Sequence, residues 1–130
     1  MDAPLDPRET ASTVLIVDDD HPLREALRDL MAEEGFRPLV ACNGAEALEI
    51  IRRESPPFLI LLDLMMPVMD GWQFQAALEK SPELLKVPVI IISDHVQSRV
   101  IAGARGVRFF VRKPVAVPEL LAYVDRYRAS

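Results

Sequence analysis

Two runs in the middle of the chain, Phe58–Leu62 and Val89–Ile92, are apolar at every position. A strand with one face in water alternates apolar and polar residues. A strand with no alternation is covered on both faces, and that is the habit of a parallel sheet flanked by helices. Three further runs, Val14–Val17, Leu39–Ala41 and Val107–Val111, read as companion strands, the second of them weaker. Helical periodicity fills the gaps. His21–Glu34 carries Leu23, Ala26, Leu27, Leu30 and Met31 on one side, has Pro22 in its first turn and stops at Gly35. Ala45–Glu54 follows the Asn43-Gly44 turn and is ended by Pro56-Pro57. Gly71–Lys80 presents Phe74, Ala77 and Leu78, Val96–Ala104 is short, and Pro118–Arg128 presents Leu120, Leu121, Val124 and Tyr127. Strand and helix therefore alternate five times, and right-handed crossovers turn that order into an α/β fold: a doubly wound, five-stranded parallel sheet with five helices.

With 130 residues the chain has the length of one domain, which the pattern assigns to residues 13–129 behind a disordered leader at 1–12. The leader is acidic and lacks the apolar core of a secretory signal. No apolar run approaches bilayer length, so membrane insertion is not expected. The single cysteine, Cys42, cannot form an internal disulfide or a thiolate metal cage, which suits a reducing, cytoplasmic setting. A net charge of −5 disfavours non-specific binding to nucleic acid.

In open α/β sheets the working residues lie beyond the carboxyl ends of the strands. Asp18, Asp19 and Asp20 follow the first strand, Asp63 the third, Ser93 and Asp94 the fourth, and Lys113 with Pro114 the fifth. Crowded carboxylates repel one another unless a cation intervenes, and Mg²⁺ is the hard, oxygen-seeking ion that binds through one or two carboxylates plus a phosphate. A carboxylate can also attack a phosphoryl group and form an aspartyl phosphate, while metal, ammonium and hydroxyl neutralise the transferred oxygens. Asp19, Asp63, Ser93 and Lys113 supply those parts. Asp20, the third acid, reads as a helix cap or a solvated residue rather than a ligand.

Four stretches carry a wider likeness: VLIVDDD at 14–20, LILLDLMMPVMDG at 59–71, VPVIIIS at 87–93 and FFVRKP at 109–114. With them the chain resembles the receiver domain of bacterial response regulators, the CheY-like family with its flavodoxin-like sheet. The resemblance implies Asp63 as phosphoacceptor, with Ser93 and Lys113 assisting. It implies a Mg²⁺ site formed by Asp18, Asp19, Asp63 and the backbone carbonyl of Met65, with Asp19 a direct ligand and Asp18 helping through water. Ser93 and Phe110 would form the switch, with Phe in a position where many members have Tyr. A cis peptide is implied at Lys113-Pro114. The phosphodonor would be a sensor histidine kinase or a histidine phosphotransfer protein. A downstream protein, or a second copy of the chain, would dock on the face made by the fourth helix, fifth strand and closing helix. The chain would be a single-domain response regulator of a phosphorelay and not an enzyme, though it would assist its own phosphotransfer and autodephosphorylation. Direct DNA binding is not expected, because no helix-turn-helix follows the closing helix.

Two departures modify the expectation. Asp94 stands where the family has a small residue, and two readings of it are open: with Met65 and His95 it would regulate access to the phosphoacceptor, or it would point to solvent and cap the fourth helix. The segment from Ser93 to Lys113 is shorter than usual, which makes the fourth helix atypical. These departures keep open an unphosphorylated interaction module built on the same fold. A receiver cut from a longer protein is a further reading. A phosphohydrolase is disfavoured because Met65 stands where such an enzyme places its general acid.

Overall fold

The computed structural model describes residues 12–54, 56–64, 69, 71–82, 84, 86–93 and 107–128. Five parallel strands form one sheet in the order β2-β1-β3-β4-β5. They are β1 (Thr13–Val17), β2 (Arg37–Ala41), β3 (Leu59–Asp63), β4 (Val89–Ser93) and β5 (Val107–Arg112). Four of the expected helices fall among the described residues: α1 (His21–Glu33), α2 (Gly44–Arg53), α3 (Gly71–Glu79) and the closing helix α4 (Val117–Arg128). The helix expected at Val96–Ala104 lies outside them, as does the leader through residue 11.

The strands differ at their ends from the sequence reading. β2 begins at Arg37, not Leu39, and takes in Pro38. That is tolerated because β2 is an edge strand, where a missing N–H breaks no inner ladder. β3 starts after Phe58, whose N–H still reaches Thr13 O at 2.8 Å while its ring stacks on Phe36 at 5.6 Å. At the other end Asp63, Ser93 and Arg112 are the last residues of their strands. Helix ends move by a residue: α1 and α3 stop earlier, α2 takes in Gly44 but stops at Arg53, and α4 starts at Val117.

Runs that are apolar at every position divide residue by residue between two cores. Leu15, Val17, Ile60, Leu62, Val89 and Ile91 face α2 and α3, meeting Ala47, Ile50, Phe74 and Leu78. Val14, Ile16, Leu59, Leu61, Ile90, Ile92 and Val111 face α1 and α4, meeting Leu27, Met31, Leu120 and Val124. Each fully buried aliphatic or Phe side chain contributes about 1.5–3 kcal/mol, so both layers are needed to hold the sheet. In α1 the inward stripe is narrower than expected: Leu27 and Met31 are buried, Leu23 and Leu30 half-buried, and Ala26 exposed.

Side chains close the rest. Asn43 caps α2, accepting from the Glu46 N–H at 2.9 Å, and Glu46 reaches back to the Cys42 N–H at 3.1 Å. At the far end of the chain Arg128 donates to Glu34 O at 2.6 Å and to Glu34 Oε1 at 2.8 Å, with its guanidinium 4.9 Å from the Phe36 ring centre. The last turn of α4 is thereby tied to the corner between α1 and β2.

Candidate functional site

β1 delivers Asp18 to the carboxyl edge of the sheet. Its N–H continues the ladder to Ala41 O at 3.1 Å, and its side chain is buried, with the residue 1% exposed. Oδ1 accepts the Asp20 N–H at 2.9 Å. Oδ2 pairs with the Lys113 ammonium at 3.2 Å. Asp19 is exposed. Asp20 turns to α1 and caps it, accepting from the Leu23 N–H at 3.2 Å.

β3 delivers Asp63, which is 4% exposed, with Oδ2 at 3.6 Å from Lys113 Nζ. Carboxylate oxygens of Asp18, Asp19 and Asp63 all lie within 4.8 Å of one another. β4 delivers Ser93, fully buried. β5 delivers Lys113, whose N–H bonds to Ser93 O at 2.9 Å and whose peptide to Pro114 is cis. An open cleft of about 380 Å³, lined by Asp20, Leu23, Lys113, Pro114 and Val115, lies beside the ammonium. Phe110 is half-buried and packs on the α2–α3 side of the sheet, opposite Ile91 on β4. The structure thus brings Asp18, Asp19, Asp63 and Lys113 together and ties Ser93 to them through the β4–β5 ends. Met65, Asp94 and His95, expected as ligand and access residues, lie outside the described residues.

The electrostatics follow from the count of charges. Asp18 and Asp63 share the Lys113 ammonium, and Asp19 adds a third carboxylate within 4.8 Å of theirs. Burial pulls the Lys113 pKa down, but attraction to Asp18 and then Asp63 outweighs it, and the pKa ends above its ordinary value. One positive charge cannot offset three negative ones, and crowded carboxylates disfavour one another's ionised form. An all-oxygen donor set of this kind, three carboxylates with oxygens within 4.8 Å of one another, fits a hard divalent ion.

Three supports of the site were not legible as such. Gly71 donates to Leu64 O at 2.9 Å, and a Cβ there would lie 2.5 Å from Asp63 O and 2.7 Å from Leu64 Cα. Gly44 donates to Met69 O at 2.8 Å, and a Cβ there would lie 2.8 Å from Met69 Cγ. Only glycine lets these helix starts approach the segment that follows Asp63. Arg24 donates to Asp18 O at 2.8 Å and to His21 Nδ1 at 2.9 Å. The turn glycines were visible as residues but not as neighbours of Asp63. The Arg24 contact has no signal beyond a basic residue in the first turns of α1.

This fold, with acids at the ends of β1 and β3 and a lysine after β5, is an α/β module with an acidic site at the carboxyl edge of its sheet. The profile of the response regulator receiver domain matches residues 14–125, and the chain belongs to that family. Response regulator MprA of Mycobacterium leprae is 37% identical over 111 residues, covering 85% of this chain and 48% of the relative. The chain spans about half the length of the curated relatives it matches. Among solved structures it is similar to the response regulator TrrA of Thermotoga maritima in complex with Mg²⁺-BeF. That likeness has a TM-score of 0.78 and 26% identity, and covers 89% of this chain and 98% of the other. The Francisella response regulator 1452 receiver domain gives a TM-score of 0.77 and 28% identity, covering 92% and 99%. The CheY-like, five-stranded architecture and the place in two-component signalling are thereby established.

Proposed function

We propose that the chain works as a phosphorylation switch in which Asp63 takes a phosphoryl group from a phosphohistidine on a sensor kinase or histidine phosphotransfer protein. The supporting observation is the position of Asp63: buried at the end of β3, 3.6 Å from Lys113 Nζ, with Asp18 and Asp19 oxygens within 4.8 Å. Asp18, Asp19 and Asp63 would hold Mg²⁺. When bound, it would neutralise the carboxylates and the equatorial oxygens of the incoming group. TrrA, a related response regulator, has been solved with Mg²⁺-BeF.

In the transfer, an Asp63 oxygen forms a bond to phosphorus as the P–N bond to the histidine breaks. The electron pair leaves with the imidazole, and an acyl phosphate remains on Asp63. Lys113 carries a fixed positive charge to the equatorial oxygens, and its raised pKa keeps it charged at neutral pH. Ser93, at the end of β4, supplies a hydroxyl to the same group. Its backbone tie to Lys113 joins the two responses. Phe110 on the neighbouring strand would follow Ser93 through packing, and the face around β5 and α4 would change its preference among protein partners. This is a population shift of a two-state element. The chain is in this reading an acceptor that assists its own phosphorylation and hydrolysis, and it works in the cytoplasm. No helix among the described residues is long and apolar enough to cross a membrane.

The test is intact mass after incubation with acetyl phosphate and Mg²⁺, for wild type and Asp63→Asn. One added phosphoryl group in wild type, absent from the variant and absent without Mg²⁺, is the expected result. No gain in a folded wild-type chain would overturn the reading in favour of an unphosphorylated interaction module.

A further inference from the structure

We infer that Arg24 is a positioning residue for the cation site, acting through the peptide that joins Asp18 to Asp19; the inference rests on the reading of Asp18, Asp19 and Asp63 as Mg²⁺ ligands. The two neighbouring acids are held differently. The Asp18 side chain is fixed by the Asp20 N–H on Oδ1 and the Lys113 ammonium near Oδ2. Asp19 is exposed, and its direction depends on its backbone. Asp18 O and Asp19 N–H belong to one planar peptide unit, so fixing the oxygen fixes the plane from which Asp19 departs. Arg24 does that at 2.8 Å.

The second donor of the fork goes to His21 Nδ1 at 2.9 Å, which holds the guanidinium against the first turn of α1. The Asp18 N–H in turn bonds to Ala41 O, at the end of β2, at 3.1 Å. Arg24 therefore stands where the β1 end, the α1 start and the β2 end meet. A guanidinium is always charged and presents donors in a rigid plane, so it can bridge Asp18 O and His21 at once. A lysine ammonium keeps the charge but lacks that fork. The expected consequence of losing Arg24 is an Asp19 carboxylate that wanders and a weaker cation site. Residues that orient metal ligands commonly change affinity by about 10–100-fold when removed.

Mg²⁺ affinity would be measured by calorimetric titration for wild type, Arg24→Ala and Arg24→Lys, alongside urea unfolding of each without Mg²⁺. The Mg²⁺ dependence of acetyl phosphate labelling would be followed in parallel. Arg24→Ala should bind Mg²⁺ about 10-fold more weakly or worse. Arg24→Lys should recover little of that loss. The Mg²⁺ concentration for half-maximal labelling should rise in step, with the plateau at saturating Mg²⁺ preserved. A purely structural role would shift the unfolding midpoint and leave Mg²⁺ affinity alone, and that result overturns the inference. A lowered plateau at unchanged half-saturation overturns it as well. Wild type that binds no Mg²⁺ removes the cation reading and this inference with it, whereas tight binding by both wild type and Arg24→Ala removes only the role of Arg24.

Discussion

Lys113 holds two buried carboxylates in check, and its removal tests how much. Lys113→Met leaves Asp18 and Asp63 without their cation, so the Mg²⁺-free protein should lose about 1–3 kcal/mol in urea unfolding, less than a fully buried pair because the lysine keeps some solvent. Added Mg²⁺ should restore part of that. The pH dependence has a definite sign. A raised lysine pKa gives stabilisation that is complete below the ordinary value of 10.5 and is lost as pH rises through the higher folded-state value. Wild type should therefore lose more stability than Lys113→Met on going into that alkaline range; equal slopes for the two proteins would contradict the assignment. Asp20 separates the roles of three consecutive acids. Asp20→Ala should cost about 1 kcal/mol as a lost helix cap, yet leave Mg²⁺ affinity close to wild type. A large loss of affinity would make it a ligand after all.

At the scale of elements, the segment after β3 is held by two glycines, and the tighter of the contacts is at Gly71. Gly71→Ala pushes a methyl group against Asp63 O and Leu64 Cα. The expected cost is about 1–3 kcal/mol in unfolding free energy, together with slower phosphorylation, because the backbone that must yield belongs to Asp63, the proposed phosphoacceptor. A wild-type labelling rate in the variant would show that the end of β3 tolerates the shift. Most of this architecture was legible. Phe58–Leu62 and Val89–Ile92 announced inner strands because nothing in them needs water, and Asp63 and Ser93 stood out as the first polar residues beyond. What stayed hidden involves edges and backbone contacts. Pro38 masked the start of β2, since a proline argues against a strand until one knows that it lies at the edge. Arg24 and Gly44 act through main-chain oxygens supplied by other segments, and no spacing rule brings those oxygens into view. Phe109 and Phe110 looked alike in sequence, yet the strand sends them to opposite faces, Phe109 to stack on Tyr123 at 4.2 Å and Phe110 to the α2–α3 side.

For the whole molecule, the sheet divides the interior into two layers that share β3. Leu61 belongs to the layer under α1 and α4, and Leu62 to the layer under α2 and α3. Truncating either to Ala should cost about 2–5 kcal/mol. If the layers unfold as one unit, both variants keep a single transition with the wild-type denaturant slope. A biphasic curve for one of them would show that the layers are separable. The carboxyl edge, by contrast, gathers groups from β1, β3, β4 and β5, so the site exists only when the whole sheet is assembled.

The bond between Arg128 and Glu34 joins residues 94 positions apart. During synthesis, then, α1 and the first strands leave the ribosome long before the helix that covers them. Until Leu120 and Val124 arrive, the underside of the sheet from Val14 to Val111 has half its roof missing. The nascent chain must carry that apolar surface in the open, a condition that favours chaperone capture. The last turn of α4 acts as a latch that can close only when nearly every residue of the domain has been made.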